Sequence, residues 1–136
     1  MKATSNIHSF PFARSIVHVA PAGSASLLQP PFTKAELARL DGRVLATFPI
    51  LSAADAHSHL WEMHPGADEV LFMLTGELAV DYSEGPHGGT VALPAGTGIV
   101  MPQGVWHRLV LREPGVLLAL TAPHGTESRP DAGGRP

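Results

Sequence analysis

Imidazoles and carboxylates are concentrated in one short stretch of this chain. The sequence HSHLWEMHPGADE places His57, His59, Glu62, His64, Asp68 and Glu69 directly before an apolar run, Val70 to Leu74. Nitrogen and oxygen donors delivered together to the edge of an apolar segment are what a metal site requires. The chain has no cysteine, so disulfides and thiolate ligands are excluded and a metal must sit on nitrogen and oxygen.

Spacing decides which of these donors converge. In a strand from His57 to His64, successive side chains point to opposite faces, so Glu62 and His64 share one face while His57 and His59 share the other. Pro65-Gly66-Ala67-Asp68 reads as a turn in which Asp68 bonds its own backbone, and Glu69 opens a second strand, Glu69 to Leu74, that pairs antiparallel with the first. Two readings of Glu62 stay open: a ligand beside His64, or a side chain turned to solvent from a strand end. A bulge near Leu60 or Trp61 is a further alternative, because it would bring His57 or His59 to the site instead.

A second stretch, GTGIVMPQGVWHRLVL from Gly96 to Leu111, offers another imidazole. Gly98 to Met101 reads as a strand, Pro102-Gln103-Gly104 as a turn, and Val105 to Leu111 as a strand with His107 on the apolar face of Val105, Leu109 and Leu111. A lone histidine on such a face is usually a hydrogen-bonded core residue. Here the first stretch already calls for a nitrogen partner.

These two stretches resemble the paired motifs of the cupin superfamily, in particular its small single-domain members. Gly96, Pro102, Gly104 and His107 stand at the spacing of the second motif, with Leu111 where an asparagine is usual. His64, Glu69 and Gly76 stand at the spacing of the first, with Glu62 in place of its first histidine. The resemblance covers residues 43 to 122. It implies an all-β, single-domain double-stranded β-helix, or jelly roll, with a divalent metal held by Glu62, His64, Glu69 and His107. Two histidines and one or two carboxylates favour Fe(II) or Mn(II), with Zn(II) and Ni(II) as further candidates.

The elements that must position this site follow from the rest of the chain. At 136 residues, 44% hydrophobic and 15% charged, it suits one globular domain, and its 13 prolines and 14 glycines fall between short apolar runs as in a turn-rich β fold. Expected strands are Ser15 to Ala20, Ser24 to Leu28, Arg43 to Leu51, His57 to His64, Glu69 to Leu74, Glu77 to Tyr82, Thr90 to Leu93, Gly98 to Met101, Val105 to Arg112 and Val116 to Ala122. Thr75-Gly76 and Pro114-Gly115 are among the turns between them. Thr33 and Glu36 match a capping box, so the one expected helix runs from Lys34 to Leu40. The chain thus divides into residues 1–42, an arm with short strands and a helix; 43–122, the barrel; and 123–136, a polar tail that frays or lies along the surface.

Remaining residues are assigned bland roles. His8, His18, His87 and His124 stand outside ligand spacing and are surface residues, Met63, Met73 and Met101 are core filler, and Trp61 and Trp106 pack against the sheets, the helix or a subunit interface. Phe72 and Met73 lie on opposite faces of a wholly apolar strand, so both faces need cover, and the resemblance implies a homodimer through one of them.

A net charge of -3 without a basic cluster excludes a nucleic-acid footprint, and no apolar run is long enough for a membrane span. The N-terminus lacks the apolar core of a signal peptide, so a cytoplasmic location is expected. Partners are a small-molecule ligand and a second copy, with no nucleic acid or membrane. Function divides between an enzyme acting on a small polar molecule, of oxygenase, isomerase or hydrolase type, and a non-catalytic binding or sensing module, including a metal-free one. The fold alone does not choose between them.

Overall fold

The computed structural model describes residues 7–29 and 31–136, so the first six residues of the expected arm lie outside the described residues. In chain order the elements are β1 (Ile16–Val19), β2 (Ala25–Leu27), α1 (Lys34–Leu37), β3 (Arg43–Ile50), β4 (Leu60–Met63), β5 (Glu69–Glu84), β6 (His87–Pro94), β7 (Thr97–Met101), β8 (Trp106–Thr121) and β9 (Glu127–Pro130). Strands make up 53% of the described residues, which form an all-β jelly roll with almost no helix. No described helix is long and apolar enough to cross a membrane.

Helix α1 starts where its capping box predicts, with Thr33 Oγ1 accepting from Glu36 N at 3.1 Å and Glu36 Oε2 accepting from Thr33 N at 2.5 Å. It is shorter than the expected Lys34 to Leu40. A second helical piece, a 3-10 turn at Phe12–Arg14, was not expected; Thr47 Oγ1 donates to the Phe12 carbonyl and ties it to β3.

Two long strands carry the architecture. Strand β5 pairs with β8 from Val70↔Leu120 to Ser83↔Trp106, and each extends to flanking strands, β5 to β6 and β7, β8 to β3 and β4. From sequence alone each of the two reads as a pair of strands. Thr75-Gly76 and Pro114-Gly115 are not turns but facing irregularities where both strands bend, with register shifts from Met73 to Leu78. Glycine is required there: Gly76 has φ 72°, a Cβ on it would overlap the Glu113 and Pro114 carbonyls, and one on Gly115 would overlap that of Thr75. Proline brings no N–H to the bend, and Val116 N next to it is satisfied by Thr75 Oγ1 at 3.1 Å.

The bend also resets the alternation along β5. Leu71 and Met73 face the core before it and Leu78 and Val80 after it, so one strand lines both layers. With Leu93, Ile50, Met101, Val105, Leu117 and Ala119 they form the barrel core.

Two further expectations are corrected. Strand β4 does not pair with β5; it lies between β8 and β9, because the Pro65–Asp68 turn carries the chain across the barrel. Residues 57–59 are not strand. Ser52 and Asp55 side chains bond the local backbone, Ser52 Oγ accepting from Asp55 N and Asp55 Oδ2 from Leu51 N, and hold residues 52–59 in turns that leave His57 at φ 50°. Within the polar tail, Glu127–Pro130 lie exposed along the surface as an edge strand, β9, in register with β4 from Leu60↔Pro130 to Met63↔Glu127.

Candidate metal centre

Glu62 on β4 and His64, one residue past the end of that strand, bring their ligand atoms together, as the alternation requires. Glu62 is the cross-strand neighbour of His107 on β8, and Glu69 enters from the first residue of β5. The ligand atoms of Glu62, His64 and His107 lie within 4.8 Å of one another. Glu69 bridges the two imidazoles, with Oε2 at 3.2 Å from His64 Nε2 and Oε1 at 3.1 Å from His107 Nε2. All four candidates are therefore brought to one place. His64, Glu69 and His107 are buried, while Glu62 is 28% exposed and has Lys34 Nζ at 3.7 Å.

His57 and His59 lie elsewhere. Both are exposed in the turn before β4, with ring centroids 6.2 Å apart. His87 and His124 are exposed, as expected, but His18 is half-buried, its Nε2 lying 2.6 Å from the Asp41 carbonyl, and His124 Nδ1 lies 3.7 Å from Asp41 Oδ1.

The loops that hold the histidines are tied to each other. Asp68 does not bond its own backbone; its Oδ1 accepts from Gln103 N at 2.8 Å, while Gln103 Nε2 donates to the Pro65 carbonyl and Gly104 N to that of His64. The turn after β4 is thus fastened to the turn before β8. Behind the site, Trp61 is buried with Arg108 Cζ 5.2 Å from its ring centroid and its Nε1–H donating to Asp131, and Trp106 is covered by Arg129 at 4.4 Å. Arg108 also pairs with Asp81 and Asp131.

Protons on the imidazoles follow from the other ring nitrogens. His107 Nδ1 is 3.1 Å from the Val105 carbonyl, which can only accept, so Nδ1 carries the hydrogen. His64 Nδ1 is 2.9 Å from Thr126 Oγ1, whose own hydrogen goes to the Pro123 carbonyl at 2.8 Å, so His64 Nδ1 is a donor as well. Both Nε2 atoms therefore present lone pairs to the site when the rings are neutral, the tautomer that a metal requires.

His64 Nε2 is buried without a hydrogen-bond partner; its 3.2 Å approach to Glu69 is an ion-pair distance and not a hydrogen bond. An orphaned buried acceptor beside a carboxylate fits a divalent cation. Burial disfavours the Glu69 carboxylate, but the His107 and His64 imidazoles outweigh it and hold its pKa well below the usual range. Burial likewise depresses His107, yet the contact with Glu69 prevails and raises it.

Partner groups Thr121, Thr126, Lys34 and Gln103 were not singled out from sequence. Thr121 Oγ1 donates to Glu69 Oε2 at 2.7 Å, a contact that follows from the register of β5 with β8 and has no local signal.

A barrel of antiparallel strands with two histidines and two carboxylates gathered as a candidate metal site defines a cupin-like class. A family model described as a cupin domain matches residues 52–122, just over half of the chain, and the chain belongs to the cupin family. Among solved structures it is similar to hydroxypropylphosphonic acid epoxidase from S. wedmorenis, at 19% identity and a TM-score of 0.44 over 59% of this chain and 42% of that one. A cupin-2 domain protein from Shewanella frigidimarina matches at 20% identity and a TM-score of 0.43 over 60% of this chain and 69% of that one. Oxalate decarboxylase from Bacillus subtilis, a protein with Mn(II) centres, matches at 17% and 0.46 over 70% of this chain and 25% of that one. The chain spans under half of the epoxidase and a quarter of the decarboxylase. A search of curated proteins finds no match.

Proposed function

We propose that the chain is a metal-binding cupin whose Glu62, His64, Glu69 and His107 hold a divalent cation, and that it acts as an enzyme on a small polar molecule. The observation that carries this reading is the pair of buried imidazoles with both Nδ1 atoms committed to acceptors and both Nε2 atoms turned toward carboxylates, one of them orphaned. Nitrogen and oxygen donors with two carboxylates favour Fe(II) or Mn(II). When bound, such a cation supplies Lewis acidity or a place to activate oxygen, which suits an oxygenase, isomerase or hydrolase.

The chain's own residues do the rest. Thr121 donates a hydrogen bond to Glu69, and the Val105 carbonyl and Thr126 hydroxyl accept from the Nδ1 atoms and hold the neutral imidazoles in one tautomer. Glu62 marks the solvent side, and Lys34, 67% exposed, places a cation beside it, suited to a polar substrate. Metal content and Mn(II) titration of protein purified without a polyhistidine tag test this reading, with binding expected for the wild type and lost in His64→Ala and His107→Ala. Equal behaviour of all three would reject it.

One observation favours a second reading, a metal-free binding module. Glu69 spans both Nε2 atoms, so protonated imidazoles would close the site on itself as a His–Glu–His ion-paired set. Chelation separates the two: a metal-dependent fold loses several degrees of melting temperature, corresponding to about 2.7 kcal/mol for a ligand at a hundred times its Kd.

We also propose that a second copy covers one sheet face. Cross-strand register aligns Val100, Val70, Leu120, Leu45, Val17 and Leu27 in an apolar row across six strands, next to Phe72 at 48% exposure. An apolar sheet face of this extent suits an interface.

A further inference from the structure

The chain that ends β8 and runs into β9 touches three of the four candidate ligands. Thr121 donates to Glu69, Thr126 lies against His64 Nδ1, and Ser128 is the cross-strand neighbour of Glu62. Ser128 Oγ also lies 3.5 Å from Lys34 Nζ, the cation beside Glu62. This run is held in place independently of the site: Ala122 and Pro123 are buried, Gly125 N donates to the Ala38 carbonyl, and Asp131 N donates to that of His59.

Thr126 has the most specific geometry. Its backbone N–H and its hydroxyl both go to the Pro123 carbonyl, at 3.1 and 2.8 Å. A hydroxyl whose hydrogen is used in this way offers only its lone pairs elsewhere, and one of them meets His64 Nδ1. Rotating or replacing that hydroxyl removes the acceptor that sets the tautomer of His64.

We propose that segment 121–128 is a positioning clasp for the metal centre, in which the Thr126 hydroxyl keeps the hydrogen of His64 on Nδ1 and turns its Nε2 lone pair to the metal. This inference rests on the metal-binding reading above. Partners of this kind are worth about 10- to 100-fold in metal affinity. Coupling is reciprocal, so metal binding also holds β9 against β4.

The test compares Mn(II) dissociation constants of wild type, Thr126→Val, Thr126→Ser and His64→Ala, with amide hydrogen exchange of residues 127–130 measured with and without Mn(II). Thr126→Val keeps shape and removes the acceptor, and is expected to bind about 10- to 100-fold more weakly. Thr126→Ser restores the hydroxyl and should bind like wild type, a rescue that a purely structural role of the methyl group would not give. Mn(II) should slow exchange in β9 of the wild type and do so much less in the valine variant. Should the valine variant fail to fold, Thr126→Ala carries the same expectation. Loss of binding in His64→Ala with wild-type affinity in Thr126→Val overturns the clasp alone. Equal binding by wild type and His64→Ala overturns the metal reading, and the clasp falls with it.

Discussion

Thr121→Val isolates one hydrogen bond to the most buried charge of the site. Thr121 Oγ1 donates to Glu69 Oε2 at 2.7 Å, and Glu69 is 7% exposed. Valine matches threonine in shape and is favoured in strands, so neither a cavity nor strand propensity accounts for a loss. A hydrogen bond to a charged group is worth about 1.5–3 kcal/mol, and removing the donor leaves part of a buried carboxylate unsatisfied. For a domain of this length the unfolding entropy converts that to a melting temperature lower by roughly 5–10 °C. The assay is calorimetry of metal-free protein near pH 6, with Thr90→Val as control, since Thr90 Oγ1 makes a similar 2.6 Å bond to Asp81 but is exposed. A Thr121→Val melting temperature within about 2 °C of wild type, or no lower than that of the control, would refute the argument that Glu69 is held as a buried anion.

Three further outcomes are expected. Glu69 is depressed below its ordinary 4.5 and His107 raised above its ordinary 6.5, so their contribution to metal-free stability is fully present between these values. It is lost on acidification as pH falls through the folded pKa of Glu69, and on alkalinisation as pH rises through that of His107. Thermal melts across pH check this, and Mn(II) affinity should move the opposite way above pH 6.5, rising as Nε2 deprotonates. Glu62→Gln should weaken metal binding while the fold survives, whereas His57→Ala with His59→Ala should leave it unchanged; the reverse pattern in calorimetric titration would reject Glu62. Phe72→Asp should convert a dimer to a monomer by light scattering at micromolar concentration, and a monomeric wild type would remove the second copy.

What was legible in the sequence came from spacing. The alternation that puts Glu62 and His64 on one face, the capping box at Thr33 and Glu36, and His107 on an apolar strand face are local patterns, and the structure places those residues accordingly. Long-range register was not legible. Glycine and proline mark turns in most contexts, so Thr75-Gly76 and Pro114-Gly115 read as strand ends although they are where β5 and β8 bend together. Strand β9 within residues 123–136 is likewise not legible, because its pairing with β4 is backbone hydrogen bonding that a Gly/Pro-rich sequence does not advertise. The turn at residues 52–59 was hidden for a different reason: Ser52 and Asp55 bond nearby backbone and override the strand pattern that follows.

The most direct test of the central claim is anomalous diffraction from crystals grown with Mn(II). A peak is expected at coordination distance from both Nε2 atoms, of His64 and His107, and from carboxylate oxygens of Glu69 and Glu62, with His64 Nδ1 still on Thr126. A peak elsewhere, or crystals in which Glu69 still bridges the two imidazoles with no metal signal between them, would contradict it.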